Sequence, residues 1–569
     1  MAPPRVLLIY ANPAITAQPV PPYGMEVVAR AFGVAGCAVR MEAPWIEADP
    51  LAAFEDLLAW KPDLIGFSVR NIDDALVVRA ELGPGELDIS FYLDAVRPMV
   101  QRAVQAVGAA RVVLGGAAVS SGAAPVTRYL GARRAIRGPA EDLCWALGKA
   151  LAAGYGPRLP ADDPRVVELS EDDAPASPPH ASPETPRGWG RNLPNAEMGA
   201  TPRIGAYLGL TLARGGRIPV RVSTGCDRRC NFCVEARFTG YTVRPRAVEA
   251  VVAEIEALHA VGVRRFWLGC SELNVPHAKY AKELLGALAG RDLDLGVFMQ
   301  PAPMDDELLD AFEAAGVHPT DLSFEFGHLD PDILAAGGGP ASRRAIDRLV
   351  DLWLKRGYPE LGGSVLLGSH PLETDDTLQR AVEDALAIDA ALPRGLGLAY
   401  ACGGRVYPET GLADWIAAHR DEAAPHLYTA DGAPPDPAFV RPVVFCRPRS
   451  PRRLMAWVKG ALAGAKGHIA PMNSEAPASE DALAAEALVN RGIVRIQEDR
   501  LTEAAADLRA ALARSPDHLE ALAQLSMLLA NRLGDASGAR AALSRLRTAL
   551  DPDDRRRVEV DAALDALGE

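Results

Sequence analysis

The chain has 569 residues with 60 Lys and Arg against 74 Asp and Glu, and its formal net charge of −14 offers no general attraction to a phosphate backbone, which argues against nucleic acid as a partner. Hydrophobic residues make up 49% and charged residues 24%, a globular balance with core enough for roughly three or four domains, and no stretch approaches the ~18 consecutive apolar residues of a membrane-spanning helix. The 8 cysteines show no disulfide pattern, and the first apolar run, from Val6 to Tyr10, meets Asn12-Pro13 too soon for a signal peptide, so a reducing, cytoplasmic setting is expected.

Residues 1–153 alternate apolar strands with helical patterns. Residues 5–10, 64–69 and 112–116 read as strands and 23–34 as a helix, the pattern of a doubly wound α/β domain. Ligands of such folds gather at the carboxyl ends of the strands, where this chain places Asn12 and Pro13, then Ser68, Arg70 and Asn71, then Gly115 and Gly116, then Gly138 and Glu141. Small residues there either close tight turns or let backbone approach a large cofactor. The first histidine is His180, so no histidine of this domain can ligate a metal. Residues 154–202 turn rich in Pro, Asp, Glu, Ser and Ala, as in the run Ala174 to His180, and read as a linker.

A second α/β segment spans 203–410. Its first strand, 219–223, leads into Cys226-Asp227-Arg228-Arg229-Cys230-Asn231-Phe232-Cys233. Three soft ligands thus share one loop, with the aromatic Phe232 before the third. A zinc site would ask for a fourth Cys or His at a companion spacing, and a two-cluster ferredoxin for a Pro-terminated run of four cysteines, so the spacing points to an iron-sulfur cluster with one iron left without a cysteine. A helix at 246–259, strands at 265–269, 294–300, 321–326, 363–368 and 397–400, a helix at 305–315 and another opening at 371–374 complete the segment. Six strand-and-helix units predict a partial parallel barrel, whose strand ends should bring the cysteine loop, Glu272, Gln300, Glu325 and Ser369 to one cavity.

Residues 411–480 carry Trp415, Trp457 and an arginine-rich run at 447–453, and read as a cap over the barrel. The tail, 481–569, repeats itself: Ala504, Leu508 and Ala511 recur as Ala539, Leu543 and Leu546, and Gly492 and Pro516 fall where a tetratricopeptide unit places them. Two helical hairpins are expected. They either recruit a carrier or peptide partner or pack against the barrel, and packing is favoured because two repeats fall short of the number that usually stands alone.

The cysteine run resembles the signature of the radical S-adenosylmethionine superfamily, and the order of elements after it resembles that family's barrel. The resemblance implies that Cys226, Cys230 and Cys233 hold a 4Fe-4S cluster and that S-adenosylmethionine chelates the open iron. Residues after the second strand grip the amino group in that family; here they are Gly269-Cys270-Ser271-Glu272, which departs from the common Gly-Gly-Glu but keeps the acid. Phe232, Gly269, Ser271, Gln300, Glu325 and Ser369 are the further candidate contacts of these cofactors. Two roles are open to Glu272: it holds the ammonium, or its carboxylate occupies the open iron and suppresses homolytic cleavage.

The small strand-end residues of the first domain, ahead of such a cluster, resemble the cobalamin-binding domain of cobalamin-dependent members, and Tyr407-Pro408-Glu409-Thr410 resembles their Tyr-Pro-Gly-Thr barrel closure, with Glu409 in place of the glycine. Arg70 is then either a surface arginine or the group beneath cobalt, where a guanidinium cannot ligate and so favours the electron-rich metal that attacks a methyl group. Domain order, Arg70 and Glu272 together resemble the tryptophan 2-C-methyltransferases of thiopeptide antibiotic biosynthesis. This implies transfer of a methyl group from S-adenosylmethionine via methylcobalamin to a small substrate, indole carbon 2 of L-tryptophan leading, with an electron donor as partner. Two other readings stand beside it: a 5′-deoxyadenosyl radical enzyme for sp3-carbon methylation or ring rearrangement, and a corrinoid-binding scaffold with a structural cluster.

Overall fold

The computed structural model describes all residues except 1, 14–18, 76, 79–85, 161, 170–201, 340, 431, 473–479 and 569, so the linker run Ala174 to His180 lies outside the described residues. Strands β1 (Arg5–Ala11), β2 (Ala38–Glu42), β3 (Leu64–Val69), β4 (Val112–Gly115), β5 (Arg134–Ile136) and β6 (Val166–Glu168) form a 6-stranded sheet in the order β2-β1-β3-β4-β5-β6. Every neighbouring pair is parallel except β5 with β6. Helices cover both faces, and the strands are apolar on both sides as a result. In β1, Leu7, Ile9 and Ala11 join the core with Val96, Met99 and Val100 of the helix Leu93–Val107, while Val6, Leu8 and Tyr10 face Met25, Phe32 and Leu143 from the helices Tyr23–Val34 and Glu141–Ala152.

Three of these strands, β2, β5 and β6, were not read in the sequence. β2 is a half-exposed edge strand, and its run Ala-Val-Arg-Met-Glu lacks the apolar continuity of its neighbour. β6 lies in the stretch read as linker: its two valines are flanked by Pro160 and Pro164 on one side and an acidic run on the other, and pairing with β5 makes them a strand.

After the helix Pro202–Ala213 come β7 (Ile218–Arg221), β8 (Ser223–Thr224), β9 (Arg244–Pro245), β10 (Arg265–Gly269), β11 (Asp294–Gly296), β12 (Phe298–Met299), β13 (Ser323–Gly327), β14 (Glu360–Leu367) and β15 (Gly395–Cys402). The cap adds β16 (Gly404–Arg405), β17 (Leu427–Tyr428), β18 (Val444–Phe445) and β19 (Ile469–Pro471). Hydrogen bonds group the wall into β11-β10-β7 and β12-β13-β14-β15-β19. The third strand, expected to run unbroken from 294 to 300, therefore divides at Val297, where Gly296 sits so close to the ring of Trp267 that a β-carbon would lie 2.7 Å from it. β19, a parallel neighbour of β15, was not expected, because three residues some seventy positions on carry no local pattern.

Along the wall, Phe266, Leu268, Phe324, Phe326 and Leu361 are buried under the surrounding helices. The alternating residues Glu325, Gly362, Ser364 and Gly397 are small or polar and face the lumen. That inner face is where chemistry has room.

The tail forms five helices, Glu480–Gln497, Leu501–Arg514, Leu519–Leu528, Ala536–Ala549 and Arg556–Ala566, so a further helix follows the two expected hairpins. It packs on the first domain and on Pro202–Ala213 rather than on the barrel wall. Ala485, Val489 and Ile493 share a core with Tyr207, Leu210, Met41 and Ile46, and Glu47 receives Arg500 at 2.8 Å and Arg495 at 3.4 Å. The apolar side of the edge strand β2 and of that helix is what the tail covers.

Candidate functional site

The cysteine loop is irregular backbone held from outside. Gly225 enters it at a φ of 91°, against the Thr242 carbonyl with no space for a β-carbon. Cys226 donates its N–H to Gly240 O at 3.0 Å, Arg229 to Gly338 O at 3.3 Å and Asn231 to Gly337 O at 3.1 Å, while Leu412 donates to Asn231 O at 2.8 Å. The three thiols line a cavity of about 110 Å³ together with Arg228, Arg229, Arg237 and Tyr241. Among the described residues no three His, Cys, Asp or Glu side chains close on a point as a single ion requires. Thiols spread round a shared cavity suit a multi-iron cluster instead. Burial, with the negative charge of neighbouring groups, pushes Cys226 to about 11, Cys230 to about 12 and Cys233 to about 11, so binding soft iron there would expel protons. Phe232 is half-buried beside them.

Glu272 stands just past β10. Gln300 Nε2 donates to its Oε1 at 2.9 Å, and its Oε2 is buried without a hydrogen-bond partner. Asn274 fixes Gln300 in turn: it accepts the Gln300 N–H at 3.0 Å and donates to the carbonyls of Gln300 at 2.9 Å and Pro303 at 2.8 Å. Asn274 went unnoticed in the sequence, where one Asn after an acid carries no signal. Burial raises the pKa of Glu272 above the ordinary carboxylate value despite Gln300, and Glu325 adds to the rise. Glu325 accepts from Ser364 Oγ at 2.6 Å and is itself raised by burial. Glu235, two residues beyond Cys233, is pushed to about 7 by burial and then by Glu272. Ser271 Oγ reaches back to Gly225 O at 3.4 Å, and Gly269 ends β10 against Arg221. Ser369 is buried beside Gly404 and makes no hydrogen bond with Glu272, Gln300 or Glu325 among the described residues.

A second cavity, of about 330 Å³, lies at the carboxyl ends of the first domain's strands. Ser68, Gly115, Gly116, Gly138 and Glu141 line it above an apolar floor of Leu8, Met25, Phe32 and Val113, and the barrel segment closes it with Arg221, Phe238 and Thr239. Gly116 has a φ of 95° and a β-carbon there would sit 2.8 Å from Val69 N; Gly138 has a φ of 67° and abuts the Phe238 carbonyl. Arg221 Nη1 donates to Glu141 Oε1 at 2.6 Å across the two segments. Sequence reading missed Arg221, Phe238 and Thr239, since a cavity shared by segments eighty residues apart has no local pattern. Asn12, Pro13, Arg70 and Asn71 do not line this cavity. Asn12 Nδ2 donates to Tyr207 Oη at 3.0 Å, and the charge of Arg70 is felt by both Tyr10 and Tyr207. Pro13 and Asn71 are half-buried next to them.

Residues 220–385 match the model of the Radical SAM superfamily. The chain is 27% identical over 473 residues to the Tryptophan 2-C-methyltransferase of Streptomyces laurentii, covering 72% of this chain and 74% of that one. It is also 30% identical over 200 residues to the ribosomal protein uS12 methylthiotransferase RimO of Kineococcus radiotolerans, of which it spans 38%. Among solved structures, TsrM from Kitasatospora setae with cobalamin and a 4Fe-4S cluster bound superposes with a TM-score of 0.65 at 22% identity, over 88% of this chain and 100% of that one. The cobalamin-dependent S-adenosylmethionine radical enzyme OxsB with aqua-cobalamin bound superposes at 0.60 and 12% identity, over 99% and 84%. The chain thus carries a Radical SAM domain at residues 220–385, set inside a fold shared with the cobalamin-bound structures of TsrM and OxsB.

Proposed function

We propose that the chain is a cobalamin-dependent radical SAM C-methyltransferase that transfers the methyl group of S-adenosylmethionine to indole carbon 2 of L-tryptophan, with an electron donor as partner. When bound, cobalamin carries the methyl group and a 4Fe-4S cluster supplies electrons and positions the cofactor. The observation that carries the reading is the pairing of two cavities across one interface: a thiol-lined cavity at Cys226, Cys230 and Cys233, and a larger, mostly apolar cavity whose wall includes Phe238, five residues past the third cysteine. The apolar floor of Leu8, Met25, Phe32 and Val113 at the strand ends supports a large cofactor such as cobalamin there. Glu272 would direct its free Oε2 at the cluster, whereas Arg70 lies beside Tyr10, outside the lining of the larger cavity. The tryptophan substrate is supported by the relative from Streptomyces laurentii and by a TsrM structure with tryptophan bound, which superposes with a TM-score of 0.61 at 24% identity over 81% of this chain and 88% of that one.

The test is to incubate the iron-reconstituted protein with methyl-labelled S-adenosylmethionine, cobalamin, a reductant and L-tryptophan. Labelled 2-methyltryptophan with S-adenosylhomocysteine is expected. Turnover of S-adenosylmethionine with unlabelled tryptophan would overturn the substrate, and no turnover with any acceptor would overturn the enzyme reading in favour of a corrinoid-binding scaffold.

A further inference from the structure

Three buried titratable side chains at the carboxyl ends of the barrel strands have no part in the chemistry proposed above. His328 follows β13, and His370 and Glu373 follow β14, with exposures of 3%, 9% and 0%. Glu373 accepts the N–H of Gly368 at 2.6 Å and of His370 at 2.8 Å, and His328 Nε2 lies 3.4 Å from its Oε2. Nδ1 of His328 accepts the Asp330 N–H at 3.0 Å, which puts the ring proton on Nε2, toward Glu373. Nδ1 of His370 accepts the Leu372 N–H at 3.2 Å, and Cδ2 of the ring lies 3.8 Å from where a β-carbon on Gly337 would stand.

Ala336 ends the short helix Pro331–Ala336, whose start Asp330 caps by accepting from Asp332 and Ile333. The chain continues as Gly337-Gly338-Gly339. The carbonyls of Gly337 and Gly338 are the acceptors for Asn231 and Arg229, residues that stand between the cysteines. Gly338 has a φ of 59°, and a β-carbon on it would lie 2.5 Å from the Arg229 carbonyl oxygen, so backbone meets backbone with nothing between. Within the cysteine loop itself the Cys233 N–H to Cys230 O bond, at 3.1 Å, is an internal tie. One turn cannot fix three thiols relative to one another. Their placement has to come from the neighbours.

We infer that Gly338, with His370 and Glu373 behind it, is the seat of the cysteine loop, positioning Cys226, Cys230 and Cys233 for the cluster without touching it. This rests on the cluster reading above. Glu373 holds the backbone of His370 through its N–H, the His370 ring packs against Gly337 at the end of the helix Pro331–Ala336, and that end presents two carbonyls to the loop. His328 fills the remaining side of Glu373.

The experiment compares full-length wild type, Gly338→Ala, His370→Ala and His370→Gln after iron and sulfide reconstitution, reading iron per chain, the electron paramagnetic resonance spectrum of the reduced cluster, far-ultraviolet circular dichroism and cobalamin uptake. Gly338→Ala should weaken iron retention about tenfold or more and shift the spectrum of what remains, with circular dichroism and cobalamin uptake unchanged. His370→Ala should act in the same direction, and His370→Gln, whose side chain refills most of the space beside Gly337, should restore the wild-type spectrum. Wild-type iron and an unshifted spectrum in Gly338→Ala would overturn the inference. Should Gly338→Ala lose its circular dichroism, the two His370 variants decide, and identical spectra in both would overturn it. A wild type that takes up no cluster overturns the cluster reading instead.

Discussion

Arg137 Nη2 donates to Glu409 Oε2 at 2.9 Å, joining the end of β5 in the first domain to the turn that follows the barrel. Glu409 adopts a φ of 62° there, in the left-handed region that a glycine would enter freely. The turn is kept all the same: Thr410 Oγ1 donates to Tyr407 O at 2.8 Å and caps the helix Gly411–Ala418. An ion pair between segments offsets the backbone cost of a side chain in that place.

Both single changes break this pair, and only Glu409→Gly also relieves the strained backbone. Arg137→Ala leaves a partly buried carboxylate alone and should lower stability by about 2 kcal/mol. Glu409→Gly loses the pair but recovers about 1 kcal/mol of left-handed strain, so its net effect should be smaller. Thermal melts of the two variants check the order; an Arg137→Ala protein as stable as Glu409→Gly contradicts it.

Gly138 touches both segments at the larger cavity, and a methyl group there has to displace the Phe238 carbonyl. Gly138→Ala should therefore weaken cobalamin binding roughly tenfold, equivalent to ~1.4 kcal/mol, while iron uptake by the cysteine loop persists. Equilibrium dialysis against hydroxocobalamin measures it. Unchanged affinity would place the corrinoid elsewhere.

What the sequence made legible was local. The both-face apolar run of β1, the cysteine spacing and the alternation of strands with helices all repeat within a few residues, and they determine the α/β class and the order of elements. Partners across the interface were not legible. Arg221 in β7 reads as an ordinary strand residue until Glu141 is opposite it, and residues 337–339 draw no reading at all until Arg229 is seated on Gly338. The same holds for the tail, whose repeat pattern shows its hairpins and says nothing of Glu47 as the site where Arg495 and Arg500 meet.

Asp389 gives a pH-dependent stability. Its buried carboxylate accepts the N–H of Leu396 at 2.8 Å, Lys466 at 2.7 Å and Gly467 at 2.8 Å, tying the start of β15 to the approach to β19. Burial alone would raise its pKa, and these donors outweigh it and hold the carboxyl below the ordinary value. A depressed folded pKa means that the stabilisation is present above the unfolded value of about 3.9 and is lost as pH falls through the folded one. Asp389→Asn should cost about 1–3 kcal/mol at neutral pH and flatten the loss of stability in acid. Denaturant melts from about pH 6 down to about pH 3 test both parts, and an equally steep acid loss in the variant would assign it to other carboxylates.

Glu272 separates a polar methyl transfer from a radical one. Gln300 holds one of its oxygens and leaves the other buried and unpartnered, the arrangement expected of a carboxylate with a further ligand to meet. If that ligand is the open iron, S-adenosylmethionine cannot chelate there, and turnover should yield S-adenosylhomocysteine without stoichiometric 5′-deoxyadenosine. If Glu272 grips the cofactor's ammonium instead, each methylation at an unactivated sp3 carbon should release one 5′-deoxyadenosine. The indole ring is nucleophilic enough at carbon 2 to suit the first route, so the polar outcome is the expected one for the wild type. Glu272→Ala should then raise the share of 5′-deoxyadenosine among the coproducts and cut methyl transfer about a hundredfold or more, the scale of losing a positioned charged group at a reaction centre. Mass spectrometry of both coproducts decides: stoichiometric 5′-deoxyadenosine from the wild-type enzyme would exclude the polar route and weaken the case for tryptophan with it.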